Sequence, residues 1–151
     1  MVRPRTGGRA EGARRRLPAL RAGRVYIVLA VLSEGADLAA LLLITAIGGP
    51  LVEDKVAFAH TQIRVERFAR AIVVLDQVGS GTIGENVEFI VDDQAALTVV
   101  NVHDWADDAV HVATHHIKVG RDSVLRHFAI SLGGDLVRLS PLVRYAAPGG
   151  D

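Results

Sequence analysis

The chain has no cysteine among its 151 residues, which excludes disulfides, thiolate metal sites and cysteine nucleophiles and leaves the redox character of its compartment unreadable. Aromatic residues are scarce at 5%, with a single tryptophan, so any core rests on aliphatic side chains. The formal net charge is zero, which argues against a globally charge-driven nucleic-acid binder. Long apolar runs are missing too. Val25 to Leu32 is apolar, SerGluGlyAlaAsp interrupts at 33–37, and apolar residues resume from Leu38 to Ile47. Neither run reaches the roughly 18–20 residues of a spanning helix, and Glu34 and Asp37 would lie between them in the bilayer. No transmembrane span is predicted.

What is present suffices for one domain. Half of the residues are hydrophobic, and a chain of this length buries about two thirds of its unfolded surface. The neutral total hides an asymmetry: residues 1–24 hold eight arginines against the single acid Glu11, and the rest of the chain is acidic. The head has almost nothing able to bury a face and reads as a disordered basic tail. Arginines followed by the run 25–32 also resemble a secretory signal, but LeuAlaAla at 38–40 is a poor cleavage site because another apolar run follows at once. Asp37 as N-cap and Gly48, Gly49 and Pro50 as a stop predict a short, wholly apolar helix over Leu38 to Ile47. Residues 25–55 thus read as an apolar helical segment, and 56–151 as a separate β body.

From about His60 onward, short alternating runs are separated by turns. Candidate strands are Ala71 to Leu75, Val87 to Val91, Ala96 to Val102, Val110 to Val119, Ser123 to Ser131 and Leu136 to Tyr145, the last interrupted by Pro141. The segment Asp54 to Arg70 fits a helical face as well as a strand. A weak repeat lays FIVDDQAALTVVNV (89–102) over IKVGRDSVLRHFAI (117–130), matching Val91 with Val119, Ala95 with Ser123, Leu97 with Leu125 and Val102 with Ile130. A similar pattern stands 26 residues earlier at Val65, Ala69, Ala71 and Val73. Three copies suggest coils of a solenoid, with a β-sandwich left open.

The wording RDSVLRHFAISLGGDLVR (121–138), preceded by NVHDWADDAVHV (101–112) and AIVVLDQVGSGTIGENVEF (71–89), resembles the core of the SufB/SufD family of iron-sulfur cluster assembly proteins, and SufD of a GC-rich actinobacterium most. The resemblance covers about residues 60–151. It implies a right-handed parallel β-helix that acts as a cytoplasmic scaffold, pairing with a SufB-like β-helix and the SufC ATPase, with an iron-sulfur cluster belonging to the whole assembly. Family members are longer, so the chain is expected to be a fragment. Lack of cysteine favours SufD over SufB.

Other chemical words carry less. Gly79, Gly81 and Gly84 spell GxGxxG after AIVVLD, but a dinucleotide site needs a helix at the third glycine, and GlyGluAsnValGluPheIleVal reads as turn and strand. Asp104, Asp107 and Asp108 lack the glycine and distal glutamate of a calcium loop; Trp105 is expected to fold onto the coil. Five histidines lie between 103 and 127. His111 and His115 share a strand face and His116 takes the other. At i and i+4 on a strand two imidazoles are about 13 Å apart, so one zinc would need His103 or His127 from neighbouring coils. Solvated or hydrogen-bonded histidines on a sheet face are the simpler expectation. No catalytic, cofactor-binding or metal residue is assigned, and no nucleic-acid partner is expected. Two alternatives remain: a small metal-dependent β-fold enzyme using His111, His115 and His127, and a membrane-surface protein held by residues 25–49.

Overall fold

The computed structural model describes residues 56–151 in full and the backbone of two earlier strands, Val25–Leu32 and Ala40–Ile47. The expected disordered tail, residues 1–24, lies outside the described residues. Among the described residues nine strands follow one another: β1 (Val25–Leu32), β2 (Ala40–Ile47), β3 (Val56–Val65), β4 (Arg70–Gly79), β5 (Thr82–Val91), β6 (Ala96–Trp105), β7 (Val110–Val119), β8 (Val124–Ser131) and β9 (Leu136–Tyr145). Odd-numbered strands form one sheet, in the order β1-β3-β5-β7-β9, and even-numbered strands a second, in the order β2-β4-β6-β8. Every pairing is parallel. Each coil therefore contributes one strand to either sheet, the arrangement of a parallel β-solenoid.

The sequence repeat is the strand register. Val91 stands beside Val119, Leu97 beside Leu125 and Val102 beside Ile130; one coil earlier, Val65 stands beside Val91 and Ala71 beside Leu97. The change of period from 26 to 28 has a local cause. Ser80 and Gly81 alone join β4 to β5, whereas four residues, 106–109, join β6 to β7.

The run ending at Ile47 is corrected from helix to strand. Its residues from Ala40 onward form β2, paired in parallel with β4 from Ala40 beside Ala71 to Ile47 beside Val78. An all-apolar run has no periodicity to separate buried helix from buried strand, and strands of parallel sheets read as continuous apolar runs. The described part of the ambiguous segment, from residue 56 on, likewise resolves into β3 and a corner.

Three corners share one backbone solution. Phe68, Gln94 and Asp122, each the third residue after a strand of the odd sheet, have φ of 64°, 58° and 50°, a left-handed conformation uncommon outside glycine. The next residue in each, Ala69, Ala95 or Ser123, is buried. These corners stack through backbone bonds: Ala96 N donates to Ala69 O (3.0 Å) and Val124 N to Ala95 O (2.9 Å). Beside them lies the main apolar core, built from Ile63, Val65, Phe89, Val91, Ile117 and Val119 of the odd sheet and Ala71, Val73, Leu75, Leu97 and Val99 of the even one. Leu125 packs against it from β8. At the opposite corners a smaller cluster joins Ala57, Ile83, Trp105 and Ala109, with Val137 against it.

Candidate functional site

Between those two apolar clusters the interior turns polar. Strand alternation points Gln77 of β4, Glu85 of β5, Asn101 and His103 of β6, His111 and His115 of β7 and His127 of β8 into the solenoid, in phase with the core residues two positions away on each strand. Gln77, Asn101, His103, His111 and His115 are all buried, none more than 4% exposed. Four imidazoles thus occupy the inside of three adjacent strands, and Glu85 is the only inward acid among them.

The belt has two parts. In the first, Glu85 Oε2 accepts from Gln77 Nε2 and lies 3.2 Å from His111 Nε2. The His111 ring lies edge-on to His103 and tilted against Trp105, each at 5.2 Å between centroids, and His103 Nδ1 reaches Ser131 Oγ at 3.3 Å. In the second, Asn101 Nδ2 donates to Phe128 O (2.9 Å) and meets His127 Nε2 at 3.1 Å. His115 Nδ1 approaches the same His127 nitrogen at 2.9 Å. Asn101 Nδ2 is only a donor, so His127 Nε2 acts as an acceptor, and neutral His127 carries its proton on Nδ1. Phe89 places its ring edge-on to both imidazoles, at 5.4 Å and 6.2 Å.

Burial disfavours charge on these rings. Desolvation brings His115 down to about 4, against a partial upward pull from Glu85. Desolvation is also the main cause lowering His103, helped by neighbouring His111, and it lowers His127 against an opposing backbone hydrogen bond. Five buried polar atoms in this half have no hydrogen-bond partner among the described residues: Gln77 Oε1, Asn101 Oδ1, His103 Nε2, Trp105 Nε1 and His111 Nδ1.

Of the expected solvated or hydrogen-bonded histidines on a sheet face, His103, His111 and His115 take the hydrogen-bonded form on the inner face. His116 does face outward and is exposed, and His127 is half-buried. His115 and His127 come together, while His111 sits with Glu85 instead. Among the described residues no three His, Asp or Glu side chains stand where they could hold a metal ion. Trp105 is buried in the interior rather than laid on the coil. Gly79 and Gly81 are turn glycines with φ of 105° and 111°, and Gly84 lies within β5, not at a helix start. Phe58 lies across it: a Cβ there would come within 2.9 Å of the ring. Glu85, Gln77 and Asn101 were not anticipated. The signal for Glu85 is its place in Ile83-x-Glu85-x-Val87-x-Phe89-x-Val91, one acid in an otherwise apolar alternate set.

Residues 49–151 match the model of the SufBD core domain, described as SUF system FeS cluster assembly. The chain belongs to the SufBD family. It is 52% identical over 99 residues to an iron-sulfur cluster assembly SufBD family protein of Mycobacterium tuberculosis strain H37Rv, covering 66% of this chain and 25% of that protein. A SufBD family protein of Mycobacterium leprae is 54% identical over 108 residues, covering 70% of this chain and 27% of the relative. The chain thus spans about a quarter of the length of the curated relatives it matches. No solved structure matches it. Within this SufBD core, the SerLeuGlyGlyAsp wording is the corner from β8 to β9. A Cβ on Gly133 would fall 2.1 Å from Trp105 O, and Gly134 has φ of 102°. Both glycines are thus required by backbone geometry. No helix among the described residues is long and apolar enough to cross a membrane.

Proposed function

We propose that this chain serves as a non-catalytic, SufD-type scaffold component in cytoplasmic iron-sulfur cluster assembly, its solenoid pairing with that of a SufB-type subunit beside a SufC-type ATPase. The observation that carries the reading is the SufBD core match over residues 49–151, which falls on a regular parallel solenoid with two strands per coil. The relatives' own names place them in iron-sulfur cluster assembly. With no cysteine, these residues supply no thiolate to iron, and cluster-binding sulfur ligands come from outside them. Nucleotide hydrolysis falls to the ATPase.

The reading is tested by co-expressing the full chain with SufB-type and SufC-type proteins of a mycobacterial relative's source and resolving the mixture by size-exclusion chromatography with light scattering. A complex of defined stoichiometry is expected. A chain that shows β-rich circular dichroism yet elutes alone in the presence of both partners overturns the pairing.

A further inference from the structure

We propose that His115 and His127 form an acid-operated latch on the solenoid: proton uptake by this pair releases β8 from its coil while the apolar half of the interior stays folded. The latch is built from three side chains. Asn101, buried on β6, holds β8 twice, through Phe128 O at 2.9 Å and through His127 Nε2 at 3.1 Å. His115 Nδ1 adds a contact at 2.9 Å to the same nitrogen. Two of these three contacts converge on His127 Nε2. A proton placed there turns the acceptor into a donor that faces the Asn101 N–H, and a second proton on His115 sets two cations side by side.

Glu85 offsets that charge only in part. The titratable groups facing the pair from the packed elements are Glu85 on β5, His103 on β6 and His111 on β7; Gln77 on β4 and Pro141, beside His115 on β9, carry no charge. Glu85, the one acid, is already engaged by Gln77 and His111. Burial accordingly holds both rings of the latch below their ordinary value, His115 at about 4. The strand that gives way is β8, because it carries both groups that Asn101 holds, His127 Nε2 and Phe128 O. Phe89, Val91 and Leu97 belong to the apolar cluster, which borders the latch where the Phe89 ring meets both imidazoles.

A ring whose folded value lies below its unfolded value binds more protons when released. Opening is therefore suppressed above 6.5 and grows as pH falls toward about 4, by up to about tenfold per pH unit for each proton taken up. Hydrogen exchange of the full chain, corrected for intrinsic rates and read by NMR between pH 7 and 4.5, tests this. Amides 124–131 should lose protection first, with those of Ile63 and Phe89 retained. H127Q keeps a neutral acceptor at that position and should abolish the separate step; H116Q, on the outer face, should leave it unchanged. Loss of protection in β8 and core together, or an identical step in H127Q, overturns the latch. Should H127Q not fold, the imidazole carbon and nitrogen shifts of the natural chain decide. Titration of both rings below 6.5 in step with β8 signals supports it, and either ring titrating at or above 6.5 overturns it.

Discussion

The two halves of the solenoid interior are made by the same strands with the same alternation, yet they hold together by different physics. Near the corners at 66–69, 92–95 and 120–123, aliphatic side chains stack in register around Phe89, and burial of area is the whole of the interaction. A few residues along the same strands, imidazoles, amides and one carboxylate take the inward positions, and each must find a partner or bear a desolvation cost. One half is non-directional and indifferent to pH. The other is directional, and five of its polar atoms lack a partner among the described residues. The parallel register imposes coil position on either kind of side chain, so the scaffold does not depend on its interior being uniformly apolar.

That contrast can be broken from both sides. Phe89→Ala should have the largest effect, since Phe89 is fully buried at the boundary where both imidazoles touch its ring; a loss of about 3–5 kcal/mol is expected in denaturant unfolding at pH 7. Lowering the pH should strike the polar half alone. His115 has its folded value depressed from 6.5 to about 4, so the stability tied to its neutral form is complete above 6.5 and declines as pH falls to about 4. The loss reaches roughly 3 kcal/mol, and it should be visible as a falling denaturation midpoint in a pH series. Glu85→Leu comes next. It leaves the Gln77 and His111 nitrogens without their acceptor, at a cost of about 2 kcal/mol, and should leave the protection of Ile63 and Val65 unaltered. The smallest effect belongs to the outer surface. Arg64→Ala removes a 2.7 Å ion pair to Asp92, but Arg64 is 48% exposed, and a change under about 1 kcal/mol, reduced further by salt, is expected.

The apolar half was legible in the sequence because its residues announce themselves. Val91 over Val119 and Leu97 over Leu125 are matched pairs, and the wording around Gly133 and Gly134 points to the right family. The polar half was hidden by the same rule. Alternation reads a polar residue as outward, and in β7 both alternate sets contain apolar members: Val110 and Val112 on one side, Ala113, Ile117 and Val119 on the other. The phase is settled by Ile117 and Val119 pairing with Phe89 and Val91, which carries His111 and His115 inside. β2 escaped for the opposite reason. Its residues are almost uniformly apolar, and the caps flanking it outweighed a signal with no period.

The corners set where this chain tolerates changes in length. Between successive coils the 106–109 segment carries two more residues than the 80–81 segment, and the registers of β7 and β8 continue without a slip. An insertion at a corner is absorbed there as a longer arc. One residue added within β7 would instead exchange inside for outside along the rest of that strand, sending Ile117 and Val119 to solvent and bringing His116 and Lys118 inward. Strand interiors behave as text read in a fixed frame, and corners as the spaces between words. Change in this architecture can therefore accumulate as corner length and outer-face chemistry while the order of side chains along the axis is preserved.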